Sequence, residues 1–119
     1  MTERKLETIE QAEKLPYFDP WEAITLFKEM LSSLSVEALY VQHHDWGFLT
    51  WVIVNNSTLE ERYQIYECQW ELMQRYPDIG FRFNLLDRMG KPLSEFVTLN
   101  NFKLVFQVEE QGYATGAKP

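Results

Sequence analysis

The sequence predicts an α/β (α+β) fold: a two-layer sandwich with a mixed sheet of about four strands and the helices on one face. Three observations predict it. Stretches 19–34 and 57–76 carry apolar residues at three- and four-residue spacing, the mark of helices. Stretches 36–43, 48–54, 81–88 and 102–108 are short runs rich in β-branched and aromatic residues, the mark of strands. The order α-β-β-α-β-(turn)-β puts a helix between the second and third strands. If those strands share a sheet they form a βαβ unit with a right-handed crossover.

Residues 1–15 read as a charged N-terminal arm or frayed helix, with weak spacing at Leu6 and Ile9. Pro16 and Pro20 then punctuate the chain. The first helix has a strong start: Asp19 as N-cap, Pro20 at the first helical position, and Glu22 in a capping-box-like place. Ile24, Phe27, Leu31 and Leu34 make its apolar stripe.

The next two strands suggest a hairpin. Asp45-Trp46-Gly47 suits a three-residue loop, a type I turn followed by a left-handed glycine. That register sets His44 opposite Phe48, Val41 opposite Trp51 and Leu39 opposite Ile53. It sends Leu39, Val41, Leu49, Trp51 and Ile53 toward the helices.

The second helix is capped by Ser57 or Thr58, each with a glutamate three residues on. Glu60, Gln64, Glu67, Glu71 and Gln74 form one narrow polar face. Leu59, Tyr63, Tyr66, Trp70 and Met73 join Ile65, Leu72 and Tyr76 in an apolar arc of roughly 200°, wider than the ~100° of an ordinary surface helix. Such a helix packs on two sides: on the sheet, and on another helix or a partner chain. In the third strand Phe81, Phe83 and Leu85 alternate with Arg82, Asn84 and Arg88. "MGK" turns the chain, "PLSEFV" suits a short helical turn, and residues 109–119 read as a loose tail.

At 119 residues the chain reads as a single domain, 1–119, large enough for one core. Its 45% hydrophobic content argues against disorder. A net charge of −7 disfavours nucleic acid and anionic membranes, whose phosphates attract lysine and arginine. The one cysteine, Cys68, excludes an intrachain disulfide. With no signal-peptide pattern and no membrane-length apolar run, a cytoplasmic protein is expected.

The chemistry-bearing clusters are few. His43-His44-Asp45 invites a metal site, but successive strand residues point to opposite faces. The histidines therefore diverge, no third ligand is indicated, and no metal, cofactor or catalytic residue is expected. The second cluster lies where strand two feeds the second helix. Asn56, Ser57, Asp87 and Arg88 could surround an anion held by free helix amides. No glycine-rich loop accompanies them, and self-capping by Ser57 competes. Cys68, mid-helix beside Glu67 and Glu71, lacks the surroundings of a nucleophile. Arg82, Arg88, Lys91 and Lys103 make the only locally basic region, a candidate contact for an acidic partner or a phosphate.

The strongest unusual feature is apolar excess. With one sheet face under the helices, the other still presents Ala38, Tyr40, Phe48, Val52, Val54 and Leu86. Patches of this kind mark association surfaces. Tyr40, Phe48, Val52, Val54 and Leu86 are therefore the expected interface of a homo-oligomer, with a further protein partner as an option. The competing expectation is that residues 96–108 fold over this face. Two functions follow: a non-enzymatic association or regulatory domain, or a small-molecule or phosphate-binding protein or enzyme using Asn56, Ser57, Asp87 and Arg88.

The run from "EALYVQ" through "LTWVIV" to "RYPDIGFRFNLLDR" resembles small bacterial α/β proteins with a hairpin, a long helix and an aromatic strand. The helix–strand–strand–helix–strand order is also similar to the core of minimal nucleotidyltransferases. That family places Gly-Ser after its first strand and Asp-x-Asp on its second, where paired carboxylates hold magnesium. Here Gln42-His43 and Thr50-Trp51-Val52 stand near those places, so the resemblance implies a core without the metal chemistry.

Overall fold

The computed structural model describes residues 19–108; the expected arm at 1–15 and tail at 109–119 lie outside the described residues. The elements are α1 (Trp21–Leu31), β1 (Ala38–His44), β2 (Gly47–Val54), α2 (Leu59–Arg75), β3 (Gly80–Asp87), a 3-10 turn (Leu93–Glu95) and β4 (Lys103–Gln107). The strands form one sheet in the order β3-β2-β1-β4. β2 and β3 pair parallel; β1 pairs antiparallel with β2 and with β4. The sheet is therefore mixed and four-stranded, as the sequence predicts.

α1 starts where its local chemistry directs. The Trp21 amide donates to Asp19 Oδ1 at 3.0 Å, and the Glu22 amide donates to the Asp19 carbonyl at 2.9 Å. Ala23, Ile24, Phe27 and Leu31 are buried, and the Phe27 ring meets Phe83 edge-on at 5.5 Å. α2 has a full capping box. Thr58 Oγ1 accepts from the Glu61 amide at 3.1 Å, and Glu61 Oε1 accepts from the Thr58 amide at 2.9 Å. Thr58 is thus the cap, and Ser57 is free for another task.

The hairpin corrects the expected register. Its loop is two residues, Asp45 and Trp46, and Gly47 already belongs to β2, opposite His44. His43 therefore faces Phe48, Val41 faces Thr50, and Leu39 faces Val52. A one-residue slip turns a whole strand over. Phe48, Val52 and Val54, expected on the uncovered face, lie fully buried in the core beneath both helices with Leu39, Val41, Phe27, Ile65 and Leu72. Leu49, Trp51 and Ile53 point the other way instead.

The second face is partly closed. β3 and β4 sit at opposite edges, so the chain between them must cross the sheet. It crosses on the side away from the helices. Leu93, Val97, Thr98 and Leu99 enclose a cleft of about 370 Å³ against Tyr40. Gln42 Nε2 donates to the Asn101 carbonyl at 3.3 Å. Ala38 and Ile53 are buried on this side, while Tyr40, Leu49, Trp51 and Leu86 stay half-buried. The strap begins earlier than the expected 96–108 segment, and the final strand joins the sheet edge rather than lying over it.

Candidate functional site

Of the four residues predicted to hold an anion, Asn56, Ser57 and Asp87 come together, while Arg88 turns to Glu37 on the other face of the sheet. β2 and β3 run parallel, so Val54 and Asp87 end side by side, and the chain then rises into α2. Asn56 adopts a left-handed φ of 56° and turns its amide inward. That amide donates to Asp87 Oδ1 at 2.7 Å, and the Ser57 amide donates to Oδ2 at 2.8 Å. The Ser57 hydroxyl adds a bond to Oδ2 at 2.9 Å, and the Met89 amide one to Oδ1 at 2.9 Å. Arg62, one turn into α2, donates to the Ser57 carbonyl and hydroxyl and lies 3.7 Å from Oδ2.

The anion at this helix start is thus the chain's own Asp87. Burial alone raises the Asp87 pKa. Bonds from the Ser57, Met89 and Asn56 amides and the Ser57 hydroxyl outweigh it and hold the carboxyl below its ordinary value. Arg88 is engaged as well. Its Nε and Nη2 bind the two oxygens of Glu37 at 2.8 and 3.1 Å, and Nη1 donates to the Lys91 carbonyl. Both side chains of that pair are only 15% exposed. The cluster pins β1, β2, β3 and α2 together.

At the far end of the sheet the two histidines diverge. His43 stacks on Phe48 at 4.7 Å and meets the edge of Trp21 at 5.7 Å. His44 lies on the other face, its Nε2 2.7 Å from Gln42 Oε1 and its ring stacked on Trp46. Among the described residues, no group of three or more His, Cys, Asp or Glu could hold a metal ion. Cys68 is half-buried; burial, then Glu71 and Glu67, push its thiol pKa up, away from thiolate chemistry. The Arg82 guanidinium sits 4.9 Å from the centre of the Trp46 ring, and Lys103 Nζ 5.5 Å from that of Trp21. No helix among the described residues is long and apolar enough to cross a membrane.

Among the described residues, five of the exposed large apolar side chains lie on α2. The helix buries Ile65, Gln69 and Leu72. Leu59, Tyr63, Tyr66, Trp70 and Met73 are exposed, Tyr63 at 56% and Trp70 at 61%. Their spacing of four, three, four and three keeps them in one stripe along the helix. Tyr63 and Tyr66 touch, with ring centroids 6.3 Å apart. At ~200 Å² per aromatic side chain, the three rings alone leave roughly 300 Å² in water. Patches of this size on a small domain often mark a partner site.

Gln69, beside the stripe, is 8% exposed, and its amide nitrogen has no hydrogen-bond partner among the described residues. Burying an unpaired donor costs stability, and an apolar group of equal shape relieves the cost. Gln69→Met is therefore expected to stabilise the chain by about 1 kcal/mol, read as a higher urea midpoint. An unchanged or lower midpoint counts against the unpaired amide.

The sequence brought Asn56, Ser57 and Asp87 together, placed Arg88 with them although it pairs with Glu37 on the other face, and gave no sign of the part played by Arg62 or Glu37. These two were present only as charges: an arginine one turn into a helix, and a lone glutamate ahead of an apolar strand. No family model, curated protein or solved structure matches this chain.

Proposed function

We propose that this chain is a cytoplasmic protein-association domain that binds through the exposed face of α2. The observation that carries this reading is the stripe Leu59, Tyr63, Tyr66, Trp70 and Met73, apolar and open along the full helix. Tyrosine and tryptophan are the residues that dominate interface energetics. The other candidate, the anion cradle at the start of α2, is filled by Asp87 and closed by Arg62, which supports association over capture of a free anion. Tyr40 and Leu86, expected as interface on the second face, are half-buried, whereas the five residues of the α2 stripe are exposed.

Oxidative footprinting tests this for any partner. Trp70 and Met73 should be oxidised several-fold more slowly in intact cells than in dilute purified protein. Equal oxidation in both would sink the reading.

A further inference from the structure

The partner can be argued from what lies next to the stripe. Helix residues advance by about 100° each, so the stripe occupies one flank of α2, between its buried face and its glutamate face. With the right-handed crossover expected for β2-α2-β3, that flank overhangs β3 and points away from α1. Among the described residues β3 is the outer strand on that side of the sheet.

The two edges of the sheet differ. β4 is five residues long, carries Lys103 and is irregular against β1 at Leu39/Tyr40. Shortness, lysine and irregularity are the usual devices that prevent edge pairing. β3 is longer and regular, and its one exposed charge, Arg82, lies over the Trp46 ring. It pairs without interruption with β2 over all eight residues, and its sequence GFRFNLLD holds no proline or lysine. One flank of the molecule thus carries both an unblunted strand edge and an open aromatic helix face.

We propose that a second copy of this chain docks on this flank, about a two-fold axis perpendicular to the sheet. The proposal rests on the association reading above and names its partner. β3 pairs antiparallel with its own copy, and α2 lies antiparallel to its copy over the joint. The spacings agree. Paired strands lie ~4.8 Å apart, and a crossover helix sits over the two strands it joins. Two such helices then come ~10 Å apart, within the packing range for helices carrying large side chains. A two-fold contact needs a self-complementary surface, which a strand edge and an apolar stripe both provide. The stripe supplies the apolar centre of an interface of about 800 Å² per copy, and the β3 edge and polar rim supply the rest. Glu67, at mid-helix on the solvent side of the stripe, faces its own counterpart across the joint, so added salt tightens the pair.

Sedimentation of the full chain over a concentration series, with hydrogen exchange at both ends of the series, tests this. A particle of twice the 14.2 kDa chain mass is expected, tighter at high salt, with the β3 amides slowing as it forms. Trp70→Glu should weaken it by about 30-fold or more, the scale of an interface hot spot, while circular dichroism stays unchanged. Tyr63→Glu is the second variant should the first fail to fold. A dimer that survives both variants, or forms without β3 protection, overturns the proposal. So does a chain that stays monomeric at every concentration. If the monomer is accompanied by protection of Trp70 in cells, the second copy is excluded while the association reading stands.

Discussion

Gly47→Ala should be the most damaging single-methyl change in the described chain, destabilising it by about 3–5 kcal/mol through combined overpacking and backbone strain. Gly47 has a φ of +143°, a conformation that L side chains rarely adopt. A methyl there would lie 1.9 Å from the Gly80 carbonyl oxygen, which is backbone and cannot swing aside. The contact is mutual, since a methyl on Gly80 would meet the Trp46 carbonyl oxygen at 2.3 Å. The hairpin tip and the start of β3 touch backbone to backbone, tied by the Gly80 amide donating to the Trp46 carbonyl at 3.1 Å. The loss equals a large share of an ordinary domain's stability, so the variant should be mostly aggregated or unfolded on expression at 37 °C. A Gly47→Ala chain that melts within a degree or two of the parent would refute the close approach.

Asp87→Ala should cost about 2–4 kcal/mol, because it leaves the Asn56, Ser57 and Met89 amides without their shared acceptor. The effect has a pH signature. The folded pKa of Asp87 lies below its unfolded value, near 3.9. Its ionised form therefore contributes in full above about pH 4, and the contribution is lost as pH falls from there through the folded value. Urea melts at pH 7, 4 and 3 should show the parent losing stability over that interval more steeply than Asp87→Asn. Parallel pH profiles for the two chains would argue that the carboxylate carries no special bond set. Since Asp87 fills the helix start, its removal also opens the amides, and phosphate should then raise the melting temperature of Asp87→Ala but not of the parent.

Much of this was legible in the sequence because it depends on neighbours in the chain. Asp19-Pro20 and Thr58 with Glu61 fixed where the helices begin. The order of elements implied the parallel pair β2–β3. What was not legible depends on which of two apolar faces turns inward. β2 reads Phe48-Leu49-Thr50-Trp51-Val52-Ile53-Val54, apolar at nearly every position, so alternation could not choose its register. The Gly47–Gly80 contact fits the register that is seen, and it is invisible without the third strand. α2 posed the same problem. Its wide arc suggests packing on two sides, yet one side is open, and hydrophobicity alone would bury Trp70 and expose Gln69, the reverse of what is seen. At the anion cradle the sequence showed an acceptor and its donors close together in space. It did not show that they satisfy each other.

The strap from β3 to β4 carries a consequence for how the chain acquires its shape. α1, the hairpin, α2 and β3 can condense through contacts between consecutive elements. β4 can pair with β1 only after the chain has passed beneath the whole sheet, a closure whose entropy must be met before its hydrogen bonds form. β4 is therefore expected to be the last strand to join and the first to leave, which pulsed hydrogen exchange during refolding would show as late protection of its amides. While it is absent β1 is an open edge, and the nascent chain has two adhesive sides where the described residues of the finished one leave a single unblunted edge.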